Sequence, residues 1–324
     1  MRKFFLLLFT LIGAFLYLAP ELYAAPVSLC RKCHEDYYQT FLQTRMGRVF
    51  SAHPDVVLTK THAKAVAENF CETCHGPGDR HAKGAEDGNA DPVNTLVTFK
   101  KHSKQTPAEK NALCLSCHSN DDKRMYWAGS THESRNIACV DCHTVMKSVS
   151  DSAQLKKVKQ AEVCFQCHLQ RKAQYERSGH MPYREGKMTC TDCHNPHGTQ
   201  TPKLIAADSV NEKCYECHME KRGPFLWEHM PVRESCLNCH ESHGSNHDKL
   251  LKAKRPYLCQ RCHAPGGHVG NVYDDPRDAN SSISAPTTAL GIIGTGQFMY
   301  NRSCQNCHSQ IHGSNHPAGA RFHR

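Results

Sequence analysis

The motif Cys-x-x-Cys-His occurs ten times in this 324-residue chain and uses all twenty of its cysteines. The cysteine pairs are Cys30 and Cys33, Cys71 and Cys74, Cys114 and Cys117, Cys139 and Cys142, Cys164 and Cys167, Cys190 and Cys193, Cys214 and Cys217, Cys236 and Cys239, Cys259 and Cys262, and Cys304 and Cys307. The histidines that follow are His34, His75, His118, His143, His168, His194, His218, His240, His263 and His308. This spacing is that of c-type haem attachment, in which two thiols add to the haem vinyl groups and the histidine supplies one axial ligand. Positions i, i+3 and i+4 share a face of a helical turn, so all three groups can meet one porphyrin. Ten motifs therefore imply ten covalently bound haem c groups. A zinc site does not need a histidine directly after every second cysteine. A disulfide scaffold suits an even cysteine count in an exported chain, but a CxxC bridge closes too small a loop to constrain a fold.

Residues 1–24 read as a secretory signal peptide. Arg2 and Lys3 precede an apolar run from Phe4 to Ala19, and Leu22-Tyr23-Ala24 offers a small residue at the cleavage point. The run is short for a spanning helix, which disfavours a retained anchor, and nothing later resembles one. An exported, haem-bearing chain points to a Gram-negative periplasm. The formal charge is +9, or +8 without Arg2, Lys3 and Glu21. A basic chain can signal nucleic acid. Here, haem propionates are the simpler counter-charge, since each ferric haem adds roughly −1, and no nucleic-acid partner is expected. Only 39% of residues are hydrophobic even with cysteines counted. That is too few for a conventional core at this length, so porphyrins supply the missing apolar surface and folding is coupled to haem ligation.

The motifs start 41, 43, 25, 25, 26, 24, 22, 23 and 45 residues apart. Such short connections leave little room for strands. They predict a mainly α and irregular fold with little strand, an elongated multihaem cytochrome c built around a haem chain. Division after the fifth motif gives an N-terminal pentahaem domain over 25–178 and a C-terminal one over 179–324. Thr106-Pro107-Ala108-Glu109 predicts a capping box ahead of Cys114, and Ser209 with Glu212 another ahead of Cys214. Residues 152–166 read as a helix ending in the fifth motif, and 94–99 as a short strand. Residues 269–300 are rich in Gly, Ser, Asn, Asp and Thr and read as a long surface loop, either a disordered excursion or a docking surface. Internal repetition is visible in Cys190–Gly198 (CTDCHNPHG) against Cys236–Gly244 (CLNCHESHG). The string His-Gly-Ser-Asn-His also appears at 243–247 and 312–316.

Fourteen histidines lie outside the motifs, enough to give every haem a second nitrogen ligand. His197 and His243 follow motif histidines by three residues. So short a tether cannot easily reach round the porphyrin, so each is expected to serve a different haem and to hold neighbouring haems close. No variant attachment motif signals an open iron, and no Ser-His-Asp or paired-carboxylate set stands out. No catalytic residue is therefore assigned, and the chain reads as an electron-transfer protein.

Several stretches resemble the MtrA/DmsE family of periplasmic decahaem cytochromes over nearly the whole mature chain. They are Cys117–Trp127 (CHSNDDKRMYW), Cys190–Gly198, Cys214–Met230 (CYECHMEKRGPFLWEHM) and Cys304–Pro317 (CQNCHSQIHGSNHP). The resemblance implies a cytochrome seated in an outer-membrane β-barrel porin, whose apolar band is about 25 Å tall. It would take electrons from or give them to periplasmic carrier cytochromes, and exchange them outside with an extracellular cytochrome or iron. It also implies bis-histidine irons, with His81, His132, His180, His197, His229, His243, His268 and His312 as distal ligands and His316 competing with His312. Two positions depart from the family pattern: the histidine it has after the first haem falls at Met46, and the one just after the fourth haem falls at or beside Met146. Either these methionines ligate iron, which would raise two potentials and favour ferrous iron oxidation over mineral reduction, or His53, His62 or His102 step in while the methionines pack as apolar groups. A soluble periplasmic carrier and a multihaem oxidoreductase with one open iron are the alternative functions.

Overall fold

The computed structural model describes residues 25–52, 66–89, 95–263, 303–317 and 319–323. The leader at 1–24, His53, His62, His268 and the segment 269–300 lie outside these. The fold is helical and irregular. Among the described residues, extended pairing is confined to isolated bridges, three of which join a motif histidine to a residue downstream: His143 to Leu155, His194 to Ile205 and His240 to Leu251.

Packing divides the chain into two compact units between Val158 and Lys159, with Tyr126–Thr131 belonging to the second. This division falls ahead of the fifth motif and not at the expected 178/179. Its local cause is that the fifth motif packs on the sixth. Gln160 donates from Nε2 to Thr191 Oγ1 at 2.8 Å and accepts from Thr191 N–H at 3.2 Å.

The first unit contains α1 (Val27–Leu42), α2 (Arg45–Ala52), α3 (Val66–His75), α4 (Asp79–Glu86), α5 (Pro107–His118) and α6 (Cys139–Cys142). α5 starts at the expected capping box. Thr106 Oγ1 accepts from Glu109 N–H at 3.2 Å, the Glu109 carboxylate accepts from Thr106 N–H at 2.6 Å, and Pro107 occupies the first helical position. α1 and α2 meet at Gly47, where an added Cβ would fall 1.9 Å from the Phe41 carbonyl oxygen. Phe41, Phe50 and Phe70 close that corner as one aromatic cluster.

The second unit contains α7 (Gln160–Cys164), α8 (Leu169–Ser178), α9 (Cys190–Cys193), α10 (Val210–Tyr215), α11 (Met230–Glu234) and α12 (Tyr257–Gln260). Ser209 caps α10 by accepting from Glu212 N–H at 3.1 Å. The Glu212 carboxylate turns to Arg222 at 3.3 Å, so only half of the expected box forms.

Two expected elements do not form. Residues 152–166 are not one helix: Ala153 and Gln154 have φ of 50°, Leu155 is bridged to His143, and helix is confined to Gln160–Cys164. Tertiary bonding to the fourth motif overrides a good local propensity. No strand forms at 95–99. Instead, Val97 donates its N–H to the His75 carbonyl and accepts from His75 Nδ1, both at 2.9 Å.

Buried apolar side chains are few. They are Ala25, Phe41, Ala138 and Leu155 in the first unit, and Trp127, Ala161, Val163, Tyr175 and Leu251 in the second. Leu169 and Met219, each directly after a motif histidine, are 66% and 70% exposed. Polypeptide alone leaves the apolar surface around the motifs uncovered.

Candidate haem sites

None of the twenty cysteines forms a disulfide. Instead they meet in a regular alternation. The first thiols of consecutive motifs share hydrogen bonds: Cys30 with Cys71, Cys114 with Cys139, Cys164 with Cys190, Cys214 with Cys236, and Cys259 with Cys304. The shared proton holds Cys30 and Cys236 down to about 7 and pushes Cys71 and Cys214 up. The second cysteines connect one pair to the next. Burial pushes up Cys74, Cys193 and Cys239, and the nearby Cys117, Cys217 and Cys262 respectively add to the effect. These thiols stand in for thioether sulfurs in the haem-bound protein, so the contacts define spacing and not ionisation. Within the first unit, motifs one to four form a row in chain order; within the second, motifs five to ten do the same.

Buried asparagines set two of the pairings. Asn111 Nδ2 donates to the Ile137 carbonyl and its Oδ1 accepts from Cys139 N–H. Asn211 repeats the device, donating to the carbonyls of Val232 and Arg233 and accepting from Cys236 N–H. Each lies three residues ahead of an odd-numbered motif, a repeat that the sequence reading missed. Arg255 and Gln305 pair across the ninth and tenth motifs.

The motif histidines differ in backbone: His75 and His118 are the last residues of helices, and others leave the helix in two ways. His34, His168 and His218 sit where helix gives way, with ψ of 35°, 58° and 49°. His143 and His194 are extended, with ψ of 153° and 140°. They lie outside the helical turn, so the one-face helical geometry expected of every motif does not hold there. These histidines are locked by carbonyls downstream: His143 Nδ1 to Ala153, His194 Nδ1 to Lys203 and His240 Nδ1 to Lys249, at 2.8 to 2.9 Å. His308 Nδ1 is bound likewise by the Arg321 carbonyl. A donated Nδ1–H fixes the tautomer and leaves the Nε2 lone pair for a metal.

Six motif histidines face a second histidine ring; His308 lies nearest to its partner, 4.6 Å from His323 with planes 47° apart, and the other five are further from theirs. The centroid separations are 6.2 Å for His34 and His81, 6.1 Å for His218 and His180, 5.9 Å for His194 and His243, 6.1 Å for His263 and His229, and 6.3 Å for His240 and His312. Rings in direct stacking contact lie closer. Two imidazoles bound through nitrogen at about 2 Å to one metal have centroids about 6 Å apart, so these residues fit a haem iron between them. The buried Nδ1 atoms of His81 and His180 have no hydrogen-bond partner in the polypeptide, although buried polar atoms are rarely left so. Burial holds His229 and His243 below the ordinary imidazole value. Burial and then the Lys221 ammonium bring His312 down to about 4. Neutral imidazole is the ligating form.

His243 thus faces the histidine of another motif, as its short tether to His240 requires. His312 takes the place beside His240, while His316 is exposed. His132 lies in the helical turn Thr131–Ser134, and His197 packs against Trp127 with centroids 6.4 Å apart. His102 is exposed. Met46 and Met146 are half-buried. Beside His312 is a cavity of about 560 Å³ lined by Lys221, Lys249, Lys254 and Arg255. Four cations at one place suit the propionates of a haem.

Comparison with known proteins agrees with this chemistry. Residues 180–223 and 229–268 match the doubled CXXCH motif family, and residues 71–157 match the NrfB-like c-type cytochrome family. The chain is 46% identical over 255 residues to the multihaem cytochrome MtrA of Shewanella baltica, covering 78% of this chain and 70% of that protein. It is 26% identical over 120 residues to the cytochrome c-type protein NrfB of Escherichia coli, covering 33% of this chain and 55% of that one.

Proposed function

This chain belongs to the MtrA family of multihaem c-type cytochromes, and from that premise we propose that it carries ten haems and relays electrons across the outer membrane inside a porin-like barrel. It is an electron-transfer protein with covalently bound haem c. The bound haems supply reversible one-electron iron chemistry. The polypeptide spaces, orients and tunes them.

The alternating cysteine contacts carry this reading. Within each unit the attachment sites neighbour one another in chain order, and close spacing is what electron hopping between haems needs. The paired histidines hold five of the sites from both faces. The carbonyl locks on His143, His194 and His240 keep the rings from turning as charge changes. Lys221, Lys249, Lys254 and Arg255 offset propionate charge.

In this proposal the mature protein is periplasmic and associated with the outer membrane. Its partners are a β-barrel porin, periplasmic carrier cytochromes on one side, and an extracellular cytochrome or iron on the other. The eight distal histidines expected from the sequence, together with Met46 and Met146, complete the axial ligands. Raised potentials at methionine-ligated irons favour ferrous iron oxidation as the direction of flow.

Affinity purification of the tagged holoprotein from solubilised outer membranes tests the reading. A β-barrel protein should co-purify, and the intact mass should exceed the polypeptide by ten haems. Recovery solely as a periplasmic monomer would leave the soluble-carrier alternative in its place.

A further inference from the structure

We infer that Met146 is the distal ligand of the haem attached at the second motif, opposite His75, so that this iron is His/Met ligated. The inference rests on the haem-binding reading above and deepens it by assigning one ligand to one iron.

The argument begins with a repeated backbone frame. After the fourth, sixth and eighth motifs the chain makes the same loop. The motif histidine donates from Nδ1 to Ala153, Lys203 or Lys249 respectively. The next residue, Thr144, Asn195 or Glu241, donates its N–H to Gln154, Leu204 or Leu250. The N–H of Lys156, Ala206 or Lys252 returns to the carbonyl of the motif's second cysteine, Cys142, Cys193 or Cys239. The accepting residues are in all three cases a pair with positive φ between 50° and 63°. These bonds start each loop in the same way, and the third residue after the motif histidine follows directly from that start. That residue is Met146, His197 or His243.

The structure shows what such a residue does. His243, from the loop of the eighth motif, faces His194 of the sixth at 5.9 Å with rings 11° from parallel. His312, the fourth residue after the histidine of the tenth motif and so one place later than in those loops, faces His240 of the eighth at 6.3 Å and 14°. Each loop reaches back two motifs. Carried to the fourth motif, the same reach brings Met146 to the second, whose histidine is His75. His75 is prepared as the others are: its Nδ1 is taken by the Val97 carbonyl at 2.9 Å, which leaves Nε2 for iron.

The chemistry fits the substitution. A methionine thioether is a strong axial ligand in cytochromes c, and its unbranched side chain adapts to the place an imidazole would fill. The loop of the fourth motif departs from the others in its turn: Gly198 and Gly244 donate to the Asn195 and Glu241 carbonyls, whereas the Thr144 carbonyl accepts from Gln154 Nε2. Lys147 replaces the glycine found at Gly198 and Gly244, and one extra residue precedes the positive-φ pair. Met46 is placed differently: its N–H donates to Gln154 Oε1 at 3.2 Å, at the N-terminus of α2.

Near-infrared magnetic circular dichroism of the oxidised holoprotein tests the assignment. A thioether-to-iron charge-transfer band should be present, and Met146→His should reduce it by one haem's intensity. Met146→Ala should open one iron, so that the reduced protein binds one equivalent of carbon monoxide per ten haems. His75→Met should convert that iron to bis-methionine and remove its His/Met signal; were the two residues on separate irons, a second His/Met band would be added instead. A band unchanged in Met146→His, or no carbon monoxide uptake by Met146→Ala, would overturn the assignment. Ten haems by mass with bis-histidine signals alone would overturn it too, while leaving the electron-relay reading intact. A polypeptide mass without ten haems would remove both.

Discussion

His180 and His218 face one another with centroids 6.1 Å apart and ring planes turned by 65°, whereas the four other pairs at iron-spanning separation, His34 with His81, His194 with His243, His229 with His263 and His240 with His312, lie within 20° of parallel. Parallel imidazoles split the iron d orbitals that accept π density, and crossed ones leave them nearly degenerate. The oxidised holoprotein should therefore show a highly anisotropic low-spin paramagnetic resonance signal from the seventh motif's haem beside ordinary rhombic signals. His180→Met should remove it. A spectrum unchanged by that substitution would show that this iron is not the source.

Asn111 and Asn211 each satisfy a backbone N–H and at least one carbonyl of a neighbouring motif. Replacement by leucine keeps the volume and leaves those groups unpaired, at about 1–3 kcal/mol per buried group. Asn211→Leu should lower the thermal midpoint of the holoprotein by several degrees, and Asn111→Leu should do so to a smaller extent. Calorimetry of haem-loaded protein reads this directly, and an unchanged midpoint in both would discount the clamp.

Gly244 has φ of +138°, and a Cβ there would fall 2.5 Å from the Gln174 carbonyl oxygen. Gly244→Ala must push the loop away from α8 and carry His243 with it. The expected result is one high-spin haem that binds cyanide, where the parent protein binds none at that site. Gly129, with φ of +80° and nothing near its absent Cβ, is the control: alanine there should leave every haem low-spin.

The cations beside His312 should raise the potential of the haem they adjoin. A unit charge about 10 Å away contributes about 2 kcal/mol at an effective dielectric of 20. Lys254→Gln should lower one potential by a fraction of that amount, and the shift should shrink at high salt. Spectroelectrochemical titration at two ionic strengths checks both.

The attachment residues were legible because chemistry fixes their spacing, and Thr106 with Glu109 because capping is a local bond. Five of the eight expected distal histidines, His81, His180, His229, His243 and His312, stand opposite motif histidines, and a His-Gly step marks only His243 and His312 among them. Their pairing was not legible, because His312 meets His240 across 72 residues. The helix expected at 152–166 failed for a related reason: Ala153 and Gln154 satisfy His143 and Thr144, which no propensity scale sees. The recurrence of Lys-Leu nine residues after His194 and His240 was the available signal for the carbonyl locks.

Within each unit, each attachment site neighbours its predecessor through one cysteine and its successor through the other, so in the proposed relay the haems of a unit stand in series. A single haem missed during biogenesis would not dim such a relay in proportion; it would leave a gap in the row. The cell must therefore secure fidelity at maturation, one porphyrin at a time.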